Sequence, residues 1–77
     1  MDEATLVRMA NQIAAFFATE GATAAVDGIA GHIRSFWNPR MRRAFCRVVK
    51  AGGEGLSPLA LEAGRRLASE DAAHRPA

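Results

Sequence analysis

The chain has 77 residues, ten basic and eight acidic side chains, and a net charge of +2 at pH 7. A chain this short forms one domain at most, and such a domain buries only about 60% of the surface that its unfolded chain exposes. One cysteine, Cys46, and two distant histidines match no disulfide or metal-ligand spacing. No apolar run approaches the ~20 residues of a membrane span, and Met1-Asp2-Glu3 is acidic where a signal peptide is basic. We therefore expect a small cytoplasmic domain.

The first two predicted helices cover about residues 3–19 and 23–36. In each, apolar side chains recur at the i, i+3, i+4, i+7 spacing that gives a helix one buried face. Gly21 lies between them, where a glycine commonly ends a helix. Gly28 and Gly31 each cost about 1 kcal/mol relative to alanine inside a helix, so the second helix is intrinsically weak. We interpret both glycines as small residues that pack against the first helix.

The third helix is predicted to begin at Pro39 and to run to about residue 51. Asn38 is a favourable N-cap, and proline suits the first helical position. Its apolar residues lie on one side, and basic residues form a stripe on the other: Arg40, Arg43, Arg47 and Lys50. This stripe lies in residues 28–53, which carry six basic side chains and no acidic one. It favours an anionic partner or an acidic surface, or internal neutralisation by the flanks.

A fourth helix should begin after the N-cap Ser57, at Pro58, and end near residue 69. Its apolar face is mostly alanine, so we expect it to add little burial. Residues 70–77 lack periodicity and are predicted to be a disordered tail. The predicted fold is all-α, a small bundle of four short helices forming one domain over residues 1–69. Its core is expected between the first and third helices, with these side chains buried: Ile13, Phe17, Phe45 and Val48.

The residues do not point to catalysis or to nucleic-acid reading. His32 has no acid at a spacing that would orient it, and we interpret Cys46 as an inert, partly buried thiol. Gly52-Gly53-Glu54-Gly55 lacks the lysine of a phosphate-binding loop. The basic stripe lacks the Asn or Gln side chains that read bases, so a solvated or protein-facing surface fits it better. We predict no catalytic, cofactor-binding or metal-binding residue.

The aromatic pair Phe36-Trp37 favours a binding surface. Adjacent helical residues point about 100° apart, so one of the two rings should lie at the edge of the core. Aromatic and arginine side chains contribute much of the binding energy at protein interfaces. The predicted partner-binding residues are Arg34, Phe36, Trp37, Pro39, Arg40, Met41 and Arg42.

Three blocks of the sequence resemble the small delta subunit of bacterial NAD-dependent formate dehydrogenase, over about residues 5–68. The blocks are Met9-Ala10-Asn11-Gln12-Ile13, Phe36-Trp37-Asn38-Pro39-Arg40-Met41 and Leu56-Ser57-Pro58-Leu59. The resemblance implies a non-catalytic accessory subunit that aids assembly or stability, with the molybdenum- or tungsten-containing alpha subunit as its partner. It also implies that other subunits hold the cofactors, which are bis-molybdopterin guanine dinucleotide, iron–sulfur clusters, FMN and NAD.

Two other functions stay open at this point. One is a free-standing anion- or nucleic-acid-binding module that uses the basic stripe, and the other is a self-associating helical protein. The sequence also leaves open whether an accessory subunit stays in the mature complex, and whether Trp37 belongs to the core or to the interface.

Overall fold

Four helices account for most of residues 2–74, the part of the chain that the computed structural model describes, and no strand occurs there. They are α1 (Glu3–Phe17), α2 (Ala22–Phe36), α3 (Pro39–Lys50) and α4 (Pro58–His74). A short 3₁₀ helix, Ala18–Glu20, follows α1. The predicted all-α bundle of four helices is confirmed. None of the helices in this range is long and apolar enough to cross a membrane.

Side-chain caps fix where α1, α3 and α4 begin. The backbone N–H of Thr5 donates to the Asp2 carboxylate at 2.8 Å, and the Ala60 N–H donates to the Ser57 hydroxyl at 3.4 Å. Hydrogen bonds from Thr5, through its side chain and its backbone N–H, hold the pKa of Asp2 below its ordinary value. A lowered carboxyl pKa means that this cap stabilises the fold at neutral pH and loses its effect as acid protonates Asp2.

Phe17 and Gly28 bring α1 close to α2. A Cβ atom added at Gly28 would lie 2.6 Å from the Phe17 ring, which is too close for a real contact. The interpretation of Gly28 as a small residue against the first helix is therefore confirmed. It was wrong for Gly31, where an added Cβ would meet nothing within 4 Å.

Helix α4 is central to the packing, so the expectation that it adds little burial was wrong. Its small residues bring its backbone against α2 and α3, and its buried side chains are Ala60, Ala63, Leu67 and Ala68. At Gly64, an added Cβ would lie 2.5 Å from Val49 and 3.1 Å from the Phe45 ring. Alanine and glycine thus bury a helix by allowing close approach rather than by their own size.

The fourth helix also continues past residue 69, where the sequence analysis ended it. Residues 70–74 are helical, so the predicted tail was wrong for these five residues. The reason is tertiary, because Arg34 of α2 donates to both carboxylate oxygens of Glu70 at 2.9 Å. This ion pair ties the extra turn to the bundle. The rest of the predicted tail, residues 75–77, lies outside the described residues.

All four helices share one core. Phe45 is completely buried, as predicted. The other predicted core residues, Ile13, Phe17 and Val48, are only half-buried. The remaining large and fully buried side chains come from α1 and α2 instead: Leu6, Ile29 and Ile33. The assignment of the core to the first and third helices was therefore wrong, because α2 and α4 complete it.

Two glycine-to-alanine substitutions should have opposite effects on stability. Gly31→Ala adds a methyl group in open space, so we expect up to about 1 kcal/mol of stabilisation from helix propensity. Gly64→Ala gains the same propensity but pushes against Val49 and Phe45, so we expect a net loss of about 1–3 kcal/mol. Urea denaturation of both variants measures the difference. Equal stabilisation by both would contradict the close contact between α3 and α4.

Candidate functional site

The chain turns sharply between α2 and α3, at the site of the predicted partner-binding residues. Helix α2 ends at Phe36, and Trp37 is extended, with φ −91° and ψ 138°. The Asn38 side chain accepts a hydrogen bond from the Met41 N–H at 2.9 Å, and Pro39 occupies the first position of α3. The predicted cap and corner are confirmed. We call Phe36, Pro39 and Arg40, which are all exposed, the corner surface.

The two adjacent aromatic rings of the corner have opposite environments. Trp37 is 4% exposed and packs edge-to-face on Phe45, with 5.4 Å between ring centroids. Phe36 is 74% exposed, and one side of its ring stacks on His32 at 4.6 Å. One ring lies at the edge, as the sequence predicted, and it is Phe36. Trp37 belongs to the core of the isolated chain.

Two of the predicted partner-binding arginines make contacts within the chain. Arg42 donates to the backbone carbonyls of Trp37 at 2.7 Å and Arg34 at 3.2 Å, which closes the end of α2. Arg34 makes the bidentate ion pair with Glu70. Arg40 has no ion pair within residues 2–74. Arg34 and Arg42 therefore hold the corner in place within the chain. Their contact with a partner stays a prediction. The same is true of Met41, whose side chain is half-buried.

A mostly apolar groove between α1 and α2 adjoins the corner, and the sequence analysis did not identify it. The groove has a volume of about 410 Å³ and is lined by Met9, Gln12, Ile13, Phe16, Phe17, His32 and Trp37. Phe16 is 76% exposed and packs edge-to-face on Phe17. Because His32 lines the groove and stacks on Phe36, the apolar surface continues from α1 to the corner. The signal in the sequence was Phe16, which widens the apolar face of α1 beyond what the core can cover.

Asn11 is a second residue whose role the sequence analysis missed. Its side-chain oxygen accepts a hydrogen bond from the Ser57 N–H at 2.8 Å. Its amide nitrogen donates to the Gly55 carbonyl at 2.9 Å. One side chain of α1 thus holds the loop that leads into α4. It also joins two of the sequence blocks that carry the family resemblance.

Among the described residues, no polar or charged side chain is buried, so the remaining polar groups lie at the surface. Within residues 2–74, no three His, Cys, Asp or Glu side chains are grouped so that they could hold a metal ion. Cys46 is buried, more completely than predicted. The basic stripe of α3 is exposed along its length. The features that face outward are an aromatic corner, an apolar groove and a row of cations, all of which suit binding.

Replacing the cap residue should cost stability without removing the exposed contacts of the corner. Asn38→Ala leaves the Met41 N–H without its side-chain acceptor, so we expect a loss of roughly 1 kcal/mol, measured by thermal or urea unfolding. Asn38→Asp, which retains the acceptor, is the control and should stay close to the original stability. Equal losses in both variants would show that the oxygen at position 38 does not cap α3.

A comparison with family models places the chain among known proteins. Residues 5–63 match the family described as NADH-dependant formate dehydrogenase delta subunit FdsD. The match covers well over half of the chain, from α1 into α4, and the chain belongs to this family. The resemblance seen in the three sequence blocks is thereby confirmed. No curated protein and no solved structure matches the chain.

Proposed function

We propose that this formate dehydrogenase delta subunit is a non-catalytic accessory subunit that aids assembly or stability of the molybdenum-containing alpha subunit in the cytoplasm. Membership of the family supports a place in the complex. The observation that carries the docking role is the exposure of Phe36, whose aromatic ring is 74% exposed. The corner that presents it is held in place by the Asn38 cap and by the hydrogen bond from Arg42 to the Trp37 carbonyl. Phe36 does not stand alone, because its ring stacks on His32, which lines the apolar groove beside Phe16, and a continuous exposed apolar patch marks an interaction site.

The corner surface has the chemistry of an interface centre. Burying an aromatic ring gives large apolar contact, and its two torsions cost little entropy when they are fixed. The Phe36 ring already stacks on His32, so binding should cost less side-chain conformational entropy. Arg40 stands beside it without an ion pair inside the described chain, and its guanidinium can pair with a carboxylate of the partner. Phe36 is therefore proposed as the anchor and Arg40 as the charged rim.

The proposal also assigns the chemistry of formate oxidation to other subunits. The bis-molybdopterin guanine dinucleotide, the iron–sulfur clusters, FMN and NAD would all be bound outside this chain. The role left for the chain is to cover and stabilise a surface of the alpha subunit.

Replacing Phe36 by serine should weaken docking while leaving the isolated fold intact, because the ring is mostly exposed. We expect a loss of at least about 2 kcal/mol of binding, or roughly 30-fold in Kd. Co-purification of the tagged chain with the alpha subunit should fall, and formate oxidation in the cell extract should fall with it. Circular dichroism checks the fold.

Phe16→Ser is the comparison variant, since Phe16 is equally exposed but lines the groove on α1, so its loss should weaken docking less than the loss of Phe36. A larger loss with Phe16→Ser would move the interface from the corner to the groove. Unchanged yield and activity with Phe36→Ser would contradict the proposal.

Self-association is the second candidate, since two exposed phenylalanine rings on one side could be covered by another copy of the chain. Sedimentation of the isolated chain tests it. A dimer that Phe36→Ser disrupts, together with normal assembly of the complex, would favour self-association over docking on the alpha subunit.

A further inference from the structure

The outer face of α3 is a row of cations, Arg40, Arg43, Arg47 and Lys50, which we call the basic stripe. All four side chains are exposed, and their spacing along α3 is three, four and three residues. At a rise of 1.5 Å per residue, the stripe is about 15 Å long. Three of its four members are arginines, whose planar donors pair with carboxylates in a bidentate manner.

These four cations have no ion pair within residues 2–74, whereas other arginines of the bundle do. Arg34 pairs with Glu70, and Arg66 pairs with Asp27. Within the stripe, like charges three or four residues apart repel one another and weaken the helix. Arg40 also lies in the first turn of α3, where the helix dipole disfavours positive charge. The isolated fold therefore gains no stability from the positive charge of Arg40.

We infer that the basic stripe binds an acidic surface on another polypeptide of the formate dehydrogenase complex. This inference rests on the proposed function, and it adds a second, electrostatic surface to the apolar corner. Arg40 belongs to both surfaces, so they are continuous, and one partner can contact both. The partner is identified by complementary charge, a row of Asp or Glu side chains that neutralises the stripe.

The composition of the stripe favours a protein over a nucleic acid. Reading adenine or cytosine requires Asn, Gln, Asp or Glu side chains beside the arginines, and the stripe contains only Arg and Lys. The net charge of the whole chain is only +2, so the stripe is a local feature and not part of a generally cationic surface. Attraction between the stripe and the acidic surface would mainly raise the association rate of the two proteins and fix their relative orientation.

The test is the double variant Arg43→Gln/Arg47→Gln, which removes two cations from the stripe and leaves the corner surface intact. The control is Arg8→Gln/Arg65→Gln, which removes two exposed arginines from α1 and α4. The association rate of each is measured on immobilised formate dehydrogenase purified without this chain, between about 50 and 500 mM salt. The stripe variant should associate roughly tenfold more slowly at low salt and lose most of its salt dependence. The control should behave like the original chain.

Each outcome separates this inference from the proposed function. If the stripe variant keeps the rate and salt dependence of the control while Phe36→Ser weakens binding, the inference is overturned and the proposed function stands. If the original chain does not bind the complex at all, both fail. If the original chain binds a short DNA duplex and the stripe variant loses that binding while its binding to the complex is unchanged, the stripe serves nucleic acid instead.

Discussion

The burial of Trp37 against Phe45 is the contact on which the rest of the structure depends. Trp37 follows α2 directly and is buried, whereas Phe36, the last residue of the helix, is exposed. The same contact fixes the direction in which α3 leaves, with Asn38 capping its first turn and Arg42 closing the last turn of α2. An exposed aromatic ring on a rigid corner is thus a consequence of how the core is filled.

The three outward-facing features form one surface, which suits the proposed role as an accessory subunit. The apolar groove meets the corner through His32 and Phe36, and the basic stripe meets it at Arg40. Apolar contact at the centre with charge at the rim is the usual arrangement of protein interfaces. A small bundle that shares its apolar surface with a larger subunit also gains stability from the complex, because a partner that binds only the folded state stabilises it.

The sequence predicted what depends on local chemistry. Asn38-Pro39 and Ser57-Pro58 marked the starts of α3 and α4, since a cap and an N1 proline act within one turn. The central position of α4 and its end at His74 were not predicted. Both depend on contacts between residues distant in the chain, namely the packing of the alanine-rich face of α4 and the Arg34–Glu70 ion pair. The choice between Phe36 and Trp37 for the core was left open, although Trp37 follows the buried Ile33 at the i+4 helical spacing and Phe36 does not. Of the candidate site, the corner was predicted, and the adjoining groove was not.

The most direct test of the account is a photo-crosslink from the corner in the assembled enzyme. Benzoylphenylalanine placed at position 36 keeps an aromatic side chain at the exposed site, and mass spectrometry identifies the polypeptide to which it attaches on illumination. The account predicts a crosslink to the alpha subunit. A crosslink only to another copy of this chain, or none in a complex that contains the modified chain, would contradict the claim that this corner docks on the alpha subunit.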